Sequence, residues 1–177
     1  MSTLQRENFK FVSDSLAPVK RGFPLVDGDL LDPQNQYAVC DGEWFIQSTS
    51  VDGKIERASD VTTPDDEPAV GRLAYPYWGN KGRTDSQAIS KRQITLLWLG
   101  QYEFETRVFD ATAVVGGGLA IGTIDQLVKV ATVTIGSRNY VGLVGSQASD
   151  TNGCQVARVT RLATNNSGWL RCRIIPR

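Results

Sequence analysis

The chain has 177 residues, 41% of them hydrophobic, with 19 Lys and Arg against 19 Asp and Glu and no histidine. That length suits one domain, or one domain with an appended arm, and buries a substantial core without disulfide or metal support. Without histidine the commonest general base and metal ligand is missing, which excludes most hydrolase triads and most zinc or iron sites and leaves carboxylate-only or lysine-based catalysis.

Charge is balanced in total but not along the chain. Residues 1–88 carry 9 Lys and Arg against 14 Asp and Glu, and residues 89–177 carry 10 against 5, so the halves stand at −5 and +5. Two consequences are open: neutralisation inside one folded monomer, or complementary faces that meet neighbouring copies or an acidic partner. No stretch reaches the roughly 18 apolar residues of a membrane span, and the first residues lack the apolar core of a signal peptide, so a cytoplasmic site of synthesis and no membrane partner are expected. The three cysteines, Cys40, Cys154 and Cys172, are odd in number and form no C-x-x-C pair. They read as small buried apolar residues, and no metal, cofactor or disulfide framework is expected.

Residues 1–19 read as an N-terminal arm, followed by a single β-rich domain over 20–177. In the arm, Phe9, Phe11 and Val12 stand beside Arg6 and Lys10, a mixture that suits β-addition to a neighbour, with main-chain bonds supplying affinity and alternate side chains filling pockets. Arg6, Phe9, Lys10 and Phe11 are therefore candidate protein-contact residues. From residue 19 apolar runs are cut by DG and DP pairs, which favour turns, and strands are predicted near 22–26, 38–40 and 43–47. Asp27, Asp29 and Asp32 fail the EF-hand spacing and read as turn aspartates.

One short strand is predicted within 54–59, and an irregular loop over about 59–90. Its Tyr75, Tyr77 and Trp78 concentrate aromatic area and complete the candidate contact set. They suit an interface anchor, a cap on a core edge, or base stacking in a single-stranded nucleic-acid groove. The acids Asp65, Asp66, Glu67 and Asp85 oppose the phosphate attraction that the third use needs, so nucleic acid is not the expected partner. The best helix candidate, around 85–91, is only about two turns long.

A β-meander is predicted over 91–177. KRQITLLWL at 91–99 is a buried-strand pattern. In YEFETRV, Tyr102, Phe104, Thr106 and Val108 lie on one face while Glu103, Glu105 and Arg107 lie on the other, the period-2 alternation of a half-buried strand. The glycines of VVGGGLAIG match neither the Walker nor the Gly-x-Gly-x-x-Gly register, and suit a turn or bulge. Strands are expected at 119–121, 126–131 and 140–144, then two more in the tail. There Leu170, Cys172 and Ile174 point one way and Arg171 and Arg173 the other. With Arg158, Arg161 and Arg177 this makes five arginines and no acid after Asp150. A solvated sheet face or a partner patch accounts for them equally well. The fold class read from this pattern is all-β.

PVKRGFPL, DGEWF, YPYW, GRTDSQA, YEFET, the Gly-Leu-x-Ile turn and VGLV together resemble a group of tailed-bacteriophage head decoration, or capsid cement, proteins, over about residues 16–175. The resemblance implies a compact β-barrel or β-tulip-like domain. It implies a structural virion protein, not an enzyme, that binds the outer surface of the capsid, often as a homotrimer, and stabilises contacts between major capsid proteins. Other readings share these features: a tail or baseplate adaptor, a single-stranded nucleic-acid-binding β-barrel, or a carboxylate enzyme whose two acids converge in a cleft.

Overall fold

The computed structural model describes residues 8–16, 19–24, 41–58, 68–72, 93–98, 100–112, 119–135, 138–147, 150, 155–165 and 168–175. Those residues are all-β, with no helix among them. The strands are β1 (Phe9–Leu16), β2 (Val19–Pro24), β3 (Trp44–Gln47), β4 (Ile55–Arg57), β5 (Ala69–Arg72), β6 (Gln93–Trp98), β7 (Gln101–Thr106), β8 (Leu127–Ile135), β9 (Arg138–Gly145), β10 (Gln155–Arg161) and β11 (Leu170–Ile174). They form a six-stranded sheet of order β1-β7-β11-β10-β8-β9 and a five-stranded sheet of order β2-β6-β5-β3-β4.

One antiparallel ribbon belongs to both sheets. In the larger sheet β1 pairs with β7, ending at Leu16↔Gln101. In the smaller sheet β2 pairs with β6, beginning at Val19↔Trp98 in the same register. Two neighbouring chain segments thus pass from one sheet to the other side by side, the corner device of packed β-sheets. Gly100, with φ +98°, sits where β6 gives way to β7, a conformation that other residues rarely adopt. Two register shifts in β1, at Phe11/Ser13 and Asp14/Leu16, add local twist on the approach to the corner.

The core fills the inner face of the larger sheet. Alternate residues of β7, β11 and β8 supply Tyr102, Phe104, Leu170, Cys172, Val128 and Val130, and Trp44 enters from the smaller sheet. Phe9 stacks on Phe104 at a centroid distance of 5.2 Å, and Trp44 meets Phe104 edge-on at 6.1 Å. In β8 and β9 the opposite-parity residues Ala131, Val133, Tyr140 and Val144 form a second cluster with Val108. The segment after β7 runs along the edge of β9, pairing Phe109 with Leu143 in parallel sense, which brings Val108 into that second cluster.

Several sequence expectations change here. The sheets are open among the described residues, since β1 and β9 end one and β2 and β4 the other, so the closed barrel is not formed by them. The predicted 119–121 strand is a single bridge, Leu119↔Gly145, because the chain turns at once into a loop. β5 lies inside what reads as an irregular loop, and joins β3 to β6. The expected strand at 38–40, the turn aspartates 27, 29 and 32, the short helix around 85–91 and the glycines 116–118 lie outside the described residues.

Candidate protein-contact face

The outer face of the larger sheet gathers most of the chain's described cations. Period-2 alternation in β7 and β11 turns Glu103, Glu105, Arg171 and Arg173 away from the core. The registers then align them across strands. Lys10 of β1 faces Glu105 of β7, Glu105 faces Arg171 of β11, and Arg171 faces Arg161 of β10. On the adjacent rung Ser13 faces Glu103, Glu103 faces Arg173, and Arg173 faces Arg158.

Arg158 and Arg161 are three residues apart, so in a regular strand they would point to opposite faces. A register shift between Val159 and Arg161 changes that. The bulge sets Thr160 aside and places Arg161, instead of the threonine, opposite Arg171. Re-aiming a side chain in this way is a recognised use of a β-bulge.

Arg171 donates from Nε and Nη2 to Glu105 Oε1 at 3.0 and 2.8 Å, and Arg161 Nη2 donates to the same oxygen. Arg173 donates from Nε and Nη2 to Glu103 Oε1 at 3.1 and 2.7 Å. The carboxylates lie low, with side chains only 11% and 15% exposed, while Arg161 and Arg173 are 52% and 65% exposed. What solvent meets is therefore mostly guanidinium. Arg158, also exposed, donates from Nη1 to the Asp125 carbonyl at 3.2 Å.

At one end of this face Trp169 holds two cations. Lys10 Nζ lies 4.4 Å and the Arg107 guanidinium carbon 4.7 Å from its ring centroid, both within cation–π range. A site read only from the tail arginines misses Trp169 and the two glutamates. The alternation of YEFET is the signal that points the glutamates outward, and nothing local in the sequence marks the bulge that recruits Arg161.

The predicted contact residues fare differently. Phe9 is fully buried in the chain's own core, and residues 9–16 are a strand paired to β7 of the same chain. Its ring is thus unavailable to a partner, and the physical reason is the stack on Phe104. Phe11 stays 39% exposed while stacking on Tyr102 at 5.3 Å, and Val12 is exposed next to it. Lys10 is committed to the Trp169 end of the outer face. Arg6, Tyr75, Tyr77 and Trp78 lie outside the described residues, as do Cys40 and Cys154.

A second set of exposed apolar groups sits in the loop between Leu119 and Gln126. Gln126 accepts the Gly122 and Thr123 N–H groups on Oε1 at 2.9 and 3.3 Å and donates from Nε2 to the Ala120 carbonyl at 2.7 Å. Asp125, at φ 66°, donates its N–H to the Val159 carbonyl. A loop tied this way presents Leu119 and Ile124, the latter 60% exposed, from a fixed backbone. Behind it, Asp150 accepts from Lys129 Nζ, Ser146 Oγ and the Gln147 N–H at 2.9, 2.9 and 2.6 Å. Burial pushes the Asp150 carboxyl up, but these hydrogen bonds and the Lys129 charge outweigh it and hold the group below the usual carboxylate range.

Among the described residues no three of Cys, Asp and Glu group as metal ligands. Cys172 is buried, and burial pushes its thiol well above the ordinary range. Compared with family models, curated proteins and solved structures, the chain matches none of them.

Proposed function

We propose that this chain is a structural virion protein of the tailed-phage head decoration type, without catalysis of its own. It binds the outer surface of an expanded capsid, as a trimer, and stabilises contacts between neighbouring major capsid proteins. The observation that carries the reading is the placement of exposed apolar side chains on rigid supports. Phe11 rests on Tyr102 at the sheet edge, and Leu119 and Ile124 stand on the loop tied by Gln126. Contact groups fixed before binding lose little entropy on docking, which suits a protein that works by surface burial and by many simultaneous modest contacts.

The motifs behind the resemblance agree with this use. DGEWF runs into β3, YEFET forms most of β7, and VGLV lies in β9. Two open sheets that flare from one shared ribbon are the form we read as tulip-like. Synthesis in the host cytoplasm and residence on the capsid surface follow from the same reading.

Co-sedimentation with capsids of the encoding virus tests it. The chain is expected to pellet with expanded, undecorated capsids and to stay in the supernatant with unexpanded ones. Equal recovery in both supernatants would remove the proposal.

A further inference from the structure

We propose that the arginine-faced outer side of the larger sheet, centred on Arg158, Arg161, Arg171 and Arg173, docks an acidic protein segment whose carboxylates pair with the guanidinium groups. The inference deepens the reading above and rests on it only for the origin of the partner.

The first argument is the cost of the arrangement. Directly opposed like charges on neighbouring strands destabilise a sheet, and this face carries two such pairs side by side, Arg158 opposite Arg173 and Arg161 opposite Arg171. A regular strand would have set Thr160 against Arg171; the bulge replaces that uncharged neighbour with another arginine. What folding gains is a second arginine on the Glu105 oxygen that Arg171 already holds with two nitrogens, so one carboxylate faces two guanidinium groups. Departures from local rules of this kind concentrate where a surface has a task.

The second argument is charge. Six cations, Lys10, Arg107, Arg158, Arg161, Arg171 and Arg173, cluster on this face around two carboxylates, Glu103 and Glu105, while further along the sheet Lys129 is paired with Asp150. The arginines stand proud of the acids, so the excess is presented outward. Arginine recognises carboxylates through several N–H donors in a fixed plane, and Arg171 and Arg173 already grip glutamates inside this face with two nitrogens each.

A protein partner fits better than a nucleic acid. Single-stranded nucleic acid needs an open aromatic platform for its bases. Trp169, the aromatic residue at this face, carries Lys10 and Arg107 against its ring. Glu103 and Glu105, on β7 beside the arginines of β11, repel a continuous phosphate backbone laid across the sheet, whereas a short acidic segment can pair with the arginines of β10 and β11 alone.

The test uses the full chain and its Arg158→Gln/Arg161→Gln variant. Arg171 and Arg173 are kept, so Glu105 and Glu103 each retain a partner, and the melting temperature is expected to equal or exceed that of the parent. The probes are a fluorescent twelve-residue peptide of alternating Asp, Glu and Ser and a single-stranded oligodeoxynucleotide of the same net charge, both titrated at low and physiological salt. The parent is expected to bind the peptide more tightly than the oligonucleotide, and the variant to lose about tenfold in peptide affinity. Peptide affinity unchanged in a folded variant, no peptide binding by the parent, or preference for the oligonucleotide would each overturn the proposal. Capsid co-sedimentation separates the two readings. Arginine-dependent peptide binding without capsid binding keeps this face and removes the capsid role, whereas capsid binding unaffected by the two substitutions does the reverse.

Discussion

The fully buried carboxylate of Glu43 accepts the backbone N–H of Val141 at 3.0 Å, joining the start of the smaller sheet's β3 to β9 of the larger sheet. Arg57 of β4 holds the same carboxylate, with Nε 3.2 Å from Oε1 and Nη2 donating to Oε2 at 3.3 Å. Glu43→Ala removes the acceptor from a buried N–H and the counter-charge from Arg57, which is only a quarter exposed. The expected loss is about 2–3 kcal/mol. Glu43→Gln keeps an acceptor for Val141 and is expected to lose about 1 kcal/mol. Urea unfolding midpoints of the two variants check the order.

Gly142 is a point of close approach. A Cβ there would lie 2.4 Å from the Val108 carbonyl oxygen and 2.8 Å from a Val133 methyl, and the first of these is backbone that cannot rotate away. Gly142→Ala is expected to separate the strap after β7 from β9 and to cost about 3 kcal/mol, the upper end for overpacking. A melting temperature within a degree of the parent would show that the strap shifts freely.

Asp150 makes stability depend on pH in a definite direction. Its folded-state carboxyl titrates below its unfolded value, so its contribution is complete above the ordinary carboxylate pKa and fades as pH falls through the lower folded value. Asp150→Asn is therefore expected to be less stable than the parent at neutral pH, and the gap to close in strong acid. Melting curves from pH 7 downward measure this; a gap independent of pH would assign the effect to packing.

Cys172 is expected to be silent to thiol reagents until the protein unfolds, because its sulfur is buried and its thiolate strongly disfavoured. In a Cys40→Ser/Cys154→Ser background, labelling should follow the unfolding curve. Cys172→Ser should leave the fold intact at a cost of about 1–3 kcal/mol, since a hydroxyl replaces a weakly polar group in the core. Rapid labelling of the folded protein would contradict the burial argument.

Alternation made much of the larger sheet readable. In YEFET and WLRCRII the buried apolar residues are those of one parity, and the outward direction of the glutamates and arginines follows from it. Alternation does not name a strand's partner, however. Phe9 and Phe11 mark an extended segment equally whether it joins a neighbour or, as here, β7 of its own chain. β5 is hidden because four residues with only Ala69 and Val70 apolar carry no period. Leu119 to Ile121 has strand composition, yet the Gln126 side chain takes the next N–H groups and turns the chain. The arginine face was half legible. Arg171 and Arg173 share a parity in the sequence, whereas Arg158 and Arg161 share a face only through the bulge at Thr160.

The proposed role, docking on the outside of a capsid, is tested most directly by cryo-electron microscopy of undecorated expanded capsids, from the tailed phage that the proposal requires as the source, mixed with the purified chain. The account predicts added density at fixed lattice positions on the outer surface, three copies in mutual contact, each seated against neighbouring major capsid proteins. Bare capsids at saturating protein, or density confined to the tail, would contradict it.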